Sequence, residues 1–479
     1  MWMPGTPQSG GTRRAGGLLS RRQALAAGGL SLFGGMNLPG LLRAEAAPGG
    51  AARPGKAKSV IMLYLHGGAP TQDMFDMKPA APVEVRGEFN PIATNVPGLQ
   101  ICEHLPQMAK WMDKAAVIRG LFHQAGCHNE IPSFTGYESP QGDTQALPDN
   151  LPPSMGSVCE FLKPDDDRRP AYVHLPAPLA YIGESGPGAG FLGRRYDPLM
   201  TSATPTVDPG ADIKYRPHPP LVRGIPRISD SQLIEGLSLD RVGQRKALLS
   251  QLDDGLARHA AEAAGFDRFQ QRAFDVLASP QLRACFDPAL IDQRVQERYG
   301  NTLFGNSAYI ASKLVETGVR FVNVTWTWYN LAIPGFQDFG WDTHEHNFSI
   351  LKLYLPHLDQ VFSSLMEDLQ QSGLLDETLV VLTSDFGRTP GVNRTAGRDH
   401  WTHCYSTVLA GAGIRGGMVH GASDKQAALP VDCPVRPADI CATIYRCLGI
   451  DPDMMIYDRL NRPHKIAQGG EAIEAVLTG

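Results

Sequence analysis

A chain of 479 residues, 42% hydrophobic and 19% charged, is long enough to bury a large core, as one big α/β domain or two smaller ones. A formal net charge of -5 and a pI near 6.3 leave no basic footprint, which argues against nucleic acid as a partner. An anionic small substrate stays open, because the charge of a bound metal ion would outweigh the net balance of the chain.

Near the N-terminus, Ser20-Arg21-Arg22-Gln23-Ala24-Leu25 precedes a weakly apolar, Gly-rich stretch from Ala26 to Leu38 and then Ala44-Glu45-Ala46. Arginine pair, apolar region and small-residue site in that order read as a twin-arginine export signal over residues 1–46, followed by a Pro/Gly/Ala linker over 47–58. The apolar run is broken by Gly and falls short of the ~20 residues a spanning helix needs. No later stretch qualifies as transmembrane. The expected location is the periplasm or the exterior, with the twin-arginine export machinery as a partner. The eight cysteines (102, 127, 159, 285, 404, 433, 441 and 447) are dilute and show no C-x-x-C spacing.

Ser59 to Leu65 is a continuous apolar run of strand length, as in a buried parallel strand, and it opens into His66-Gly67-Gly68-Ala69-Pro70-Thr71-Gln72-Asp73. The spacings of a P-loop or a dinucleotide fingerprint are absent there. His104 to Lys114 has helical spacing, and Ala115 to Leu121 is a second strand. The polar loop after it carries His123, Cys127, His128 and Asn129 and runs into Ile131-Pro132-Ser133-Phe134-Thr135-Gly136. A nucleophile or a substrate-binding imidazole would be well placed at such a helix start; a simple capping role for His123 and His128 is the alternative.

Leu151 to Leu162 reads as a helix and Ala171 to Leu175 as a strand. Pro176 to Pro226 is a long Pro/Gly-rich loop, the expected seat of specificity, and Ser229 to Ala278 with Pro288 to Tyr299 forms a helical insertion. The spacing predicts a helix over Asn306 to Thr317 stopped by Gly318, a strand over Val319 to Trp326, a long amphipathic helix over His346 to Gln371, and a strand over Thr378 to Thr383. Ser406 to Ala410 and Gly417 to His420 read as short strands near the sheet edge, before a last helix over Pro437 to Leu448. Strands alternating with helices imply an α/β fold, a mostly parallel sheet covered on both faces.

Three Asp/His-rich segments look like one site: Gly340-Trp341-Asp342-Thr343-His344-Glu345-His346, Ser384-Asp385-Phe386-Gly387-Arg388, and Arg398-Asp399-His400-Trp401-Thr402-His403. If the helix starts at the first of them, Asp342 and His346 share one face of its first turn, a natural way to hold a divalent metal. Asp385, His400, His403 and His66 are the further candidate ligands. This N/O set suits Zn, Mn or Ca better than a soft copper site.

On these motifs, together with Arg119-Gly120 and Thr135-Gly136, the chain resembles the DUF1501 family of exported proteins common in planctomycetes and related bacteria, which is similar in turn to the alkaline phosphatase and sulfatase superfamily. The resemblance covers Lys58 to about Leu477. It implies an alkaline phosphatase-like fold and one or two divalent ions. Asp342 and His346 match the superfamily's D-x-x-x-H pair, Asp385 the next Asp, and His400 or His403 the late His. Two positions depart: His66 stands where the first strand should lead to Asp, and Phe386 stands where Asp385 should be followed by His. The sulfatase nucleophile motif is also missing, leaving Cys127 in nearby register. The resemblance implies an exported metal-dependent hydrolase of sulfate or phosphate esters, of small molecules or polysaccharides, with His128, Cys127 and Arg388 catalytic and His123 and Asn129 binding substrate. The alternative is a non-catalytic metal-containing surface or binding protein with the same fold.

Overall fold

The computed structural model describes residues 56–125, 128–138, 150–164, 169–176, 188–207, 221–228, 279–327 and 340–478. The export signal, most of the linker, Cys127 and the helical stretch 229–278 lie outside them. By contacts the chain divides into residues 1–49 and 50–479, and everything described belongs to the second unit.

Nine strands form one sheet: β1 (Ser59–Leu65), β2 (Ala115–Leu121), β3 (Tyr172–Leu175), β4 (Leu199–Ser202), β5 (Arg227–Ile228), β6 (Phe321–Trp326), β7 (Thr378–Ser384), β8 (Tyr405–Gly411) and β9 (Met418–His420). Their order is β9-β2-β8-β7-β1-β6-β3-β4-β5. All run parallel to β1 except β8 and β5. The chain therefore has the mostly parallel α/β sheet its alternating pattern implies.

Every residue of β1 is buried, because both faces of the sheet are covered. Ile61, Leu63 and Leu65 point into one core, and Val60, Met62 and Tyr64 into the other. The first core is closed by α3 (Leu303–Glu316) and α4 (Asn347–Gln371), the second by α1 (Ile131–Thr135), α2 (Met155–Phe161) and α5 (Pro437–Cys447). In α4 the row Leu351, Leu355, Leu358, Phe362 and Leu365 is buried, each side chain contributing about 1.5–3 kcal/mol of transfer free energy. Gly373, in the left-handed conformation at φ 74°, stops that helix.

Three expectations change. Ser406 to Ala410 lies inside β8, between β2 and β7, so it is an interior strand instead of an edge strand. It pairs antiparallel with both neighbours, which a burial pattern cannot reveal. The Pro/Gly-rich stretch supplies β4, and Arg227–Ile228 just beyond it forms β5; the two extend the sheet to its far edge. Finally, Met108–Lys114 winds as a tighter 3-10 helix, whereas the helical spacing extends back to His104. No helix of the described residues is long and apolar enough to cross a membrane.

Candidate metal centre

The carboxyl ends of β1, β2 and β7 point the same way, and open α/β sheets place ligands at that edge. β1 delivers His66, the loop after β2 delivers His128, and β7 delivers Asp385. The segment 340–346, which follows β6 in sequence, brings Asp342, and the ribbon of Gly387–Arg388 paired with His400–Trp401 brings His400.

Asp385 is the innermost member. It is fully buried and accepts from the amides of Gly67 (3.1 Å) and Gly68 (2.5 Å) and from Ser384 Oγ (2.9 Å). The turn needs glycine at both positions. Gly67 has φ 114°, and a Cβ there would come within 2.7 Å of the Asp342 amide nitrogen; at Gly68 (φ 81°) it would overlap the Phe386 ring. Burial pushes the Asp385 carboxyl up, but the hydrogen bond from His128 and the charges of His66 and His128 outweigh it and bring it down to about 2.

His128 stands between the two carboxylates, with Nδ1 3.3 Å from Asp385 Oδ2 and Nε2 3.4 Å from Asp342 Oδ2. Its backbone is left-handed at φ 44°. Burial opposes its charge, yet the two carboxylates push it up to about 9. Burial likewise disfavours charge on Asp342, but the surrounding imidazoles of His128, His344 and His400 and the Arg388 guanidinium hold it far below the usual carboxylate range. His66 Nδ1 lies 2.8 Å from Thr327 Oγ1, and its Nε2 lies 3.5 Å from Glu130 Oε1. With Nδ1 donating to the hydroxyl, Nε2 offers its lone pair to the site. Burial raises the Glu130 carboxyl.

His66, His128 and Asp385 bring their donor atoms within 4.8 Å of one another, and so do His128, Asp342 and His400. Mixed imidazole and carboxylate donors on a carboxylate-lined floor fit a divalent cation. Side-chain exposure rises from 0% at Asp385 through 11% at Asp342 and 27% at His400 to 41% at His344, so the centre opens to solvent on the His344 side.

Several expected site residues are placed elsewhere. His346 lies outside both groups. The helix begins one residue later, at Asn347, with His346 as a left-handed N-cap (φ 54°), so Asp342 and His346 do not share a helical face. Residues 341–346 are held in a non-helical turn by bonds such as Arg398 N to Thr343 O (3.0 Å) and His346 N to Thr395 O (3.0 Å). His403 is exposed and packs edge-on against Trp401. His123 is fully buried, with Nε2 2.8 Å from the Asp385 carbonyl, so it positions the backbone and does not face a substrate. Asn129 is buried too, and its Oδ1 accepts from Ile131 N (3.1 Å) beside the start of α1.

Arg388 is not on the rim. Its guanidinium is fully buried and donates to Asp342 Oδ1 and to the carbonyls of Gly67, Gly68 (2.8 Å) and Arg398 (3.1 Å), tying three loops together. Thr327, Glu130 and Ser384 were not legible as site residues, since each carries a common polar type with no spacing signal. His344 stands in the Trp-Asp-Thr-His stretch, where helical spacing favours His346 in its place.

The chain belongs to the DUF1501 family, a family of proteins of unknown function whose model matches residues 57–477. No curated protein matches it in sequence. Among solved structures it is similar to a protein of the alkaline phosphatase superfamily from Vibrio parahaemolyticus (10% identity, 93% of this chain and 80% of that one, TM-score 0.39). It is also similar to the PsFucS1 sulfatase from Pseudoalteromonas sp. (12%, 87% and 72%, 0.36) and to a phosphonate monoester hydrolase from Silicibacter pomeroyi (13%, 88% and 76%, 0.34).

Proposed function

We propose that this protein is an exported metal-dependent hydrolase of sulfate or phosphate esters. The observation that carries the reading is the convergence of Asp342, Asp385, His66, His128 and His400, from segments far apart in sequence, at the carboxyl edge of one parallel sheet. Packing alone gives no reason to collect two carboxylates and three imidazoles at one point, because each loses hydration there. A divalent ion does, and when bound it supplies Lewis-acid polarisation of an ester oxygen and lowers the pKa of a water.

The chain's own residues do the rest. The Gly67 and Gly68 amides fix Asp385, and Arg388 fixes Asp342. Arg388 is enclosed, so it does not reach an incoming anion; attraction for an anionic ester has to come from the cation held by the two carboxylates. His128, between them, orients both. Export through the twin-arginine signal over residues 1–46 completes the reading, with residues 59–479 as the hydrolase domain.

A second reading, a metal-containing binding protein without turnover, is favoured by one specific feature. Two hydroxyls beside the cluster are already engaged: Ser384 Oγ with Leu65 O (2.5 Å) and Ser133 Oγ with Ser384 O (3.0 Å). Metal analysis of natively exported protein, paired with a screen of aryl sulfates and aryl phosphates, separates the two. Turnover that is lost on chelation and restored by metal supports the hydrolase. Stoichiometric metal with no turnover of either ester class supports the binding protein, and metal-free protein overturns both.

A further inference from the structure

His344, Asp342 and His400 meet at the solvent side of the centre in a small triangle. His344 Nε2 lies 2.9 Å from His400 Nε2 and 3.1 Å from Asp342 Oδ1, and His400 Nε2 lies 3.1 Å from the same oxygen. No placement of protons satisfies all three contacts. Each ring nitrogen carries either one proton or one lone pair. If both nitrogens are protonated, two N–H groups face each other. If one is protonated, the other nitrogen turns its lone pair toward a carboxylate oxygen. If neither is, three lone pairs converge.

The far side of His344 decides among these. Its Nδ1 lies 2.8 Å from Asp399 Oδ1, an acceptor, so Nδ1 is the protonated nitrogen of the neutral ring and Nε2 carries the lone pair. Asp399 is itself held in place, its amide donating to Thr389 Oγ1 (3.0 Å). Carboxylate, imidazole and an empty-handed Nε2 in line are the arrangement in which an outer carboxylate orients a metal-binding histidine. Separations of 2.9–3.1 Å leave the three donor atoms close enough together to be shared by one ion.

We infer that His344 is a metal ligand of this protein, binding one divalent transition-metal ion together with Asp342 and His400, with Asp399 as its orienting carboxylate. The ligand pair is thus Asp-x-His, and His346, two residues on, takes no part. Two imidazoles and one carboxylate select an ion such as Zn2+ over Ca2+, which prefers six to eight oxygens. Arg388, itself buried, donates to the same Asp342 oxygen and fixes the carboxylate. The inference rests on the metal-centre reading proposed above and narrows it to named ligands.

The test is a Zn2+ titration of metal-free full-length protein against a chromophoric chelator, for the wild type, His344→Ala, Asp399→Asn and His346→Ala, with thermal unfolding as the check on folding. The wild type and His346→Ala are expected to bind alike. Asp399→Asn should bind about 10- to 100-fold more weakly, and His344→Ala more weakly still. Asp399 is exposed, so its variant decides the matter should His344→Ala fold poorly. Wild-type affinity in both His344→Ala and Asp399→Asn, or loss of the ion in His346→Ala, overturns this inference and leaves the metal-dependent hydrolase standing. A wild type that binds no Zn2+ overturns both.

Discussion

Asp73 and Arg398 form a fully buried two-pronged ion pair, Nε to Oδ2 at 2.8 Å and Nη2 to Oδ1 at 2.7 Å. Asn347, the first residue of α4, adds a hydrogen bond to Asp73 (2.9 Å), so the loop after β1, the start of α4 and the loop bearing His400 share one anchor. Removing one partner of such a pair leaves the other charge buried and uncompensated, at a cost of about 3–5 kcal/mol. Asp73→Asn and Arg398→Met are each expected to lower unfolding free energy by that order in guanidinium titrations. The double variant Asp73→Asn/Arg398→Met should lose less than the sum. Full additivity would mean that the two side chains do not act as a pair.

Gly68 is expected to tolerate no side chain. Alanine there meets both a left-handed backbone, at about 1–3 kcal/mol, and the Phe386 ring, with overpacking of similar size. Gly98, also left-handed (φ 83°) but with nothing within 4 Å of a Cβ, is the control. Gly68→Ala should therefore destabilise clearly more than Gly98→Ala in thermal unfolding, and should also lower metal content, because the Gly68 amide fixes Asp385. Equal destabilisation by the two variants would count against the crowding argument.

His357 makes stability depend on pH at a distance from the metal centre. It is buried within α4 with Nε2 2.7 Å from Thr302 Oγ1, and burial lowers it to about 4. Its unfolded value is about 6.5. Between those values the unfolded chain binds the proton and the folded one does not, so stability falls as pH drops through this window and is fully present above it. His357→Gln should remove up to about 1.4 kcal/mol per pH unit of that slope. Urea unfolding at intervals from pH 4.5 to pH 7 measures it, and an unchanged slope would show that the folded and unfolded chains bind the proton alike.

On the export reading proposed above, the Arg21-Arg22 pair would be an address, so its chemistry should matter beyond its charge. The double variant R21K/R22K keeps both positive charges and is expected to leave the protein in the cytoplasm. Immunoblots of cell fractions report this. Unchanged export would remove the localisation from the reading.

Much of this architecture is legible in the chain alone. Ser59 to Leu65 and Leu379 to Leu382 are continuous apolar runs, and a strand covered on both faces has to be written that way, so their identity as central parallel strands follows from composition. The polar residues just beyond them, His66 and Asp385, then fall at the carboxyl edge by topology. Tertiary structure decided the rest. Helical spacing pairs His346 with Asp342, and that pairing fails because α4 begins only at Asn347, a start held by the carbonyls of Thr395 and Ala396, about fifty residues downstream. Arg388 reads as a free cation until the carbonyls of Gly67, Gly68 and Arg398 close around it. The interior place of β8 is likewise invisible, because burial on both faces looks the same whichever way a strand runs. Local pattern reports what a segment buries; only contacts between distant segments fix which atoms it presents to the site.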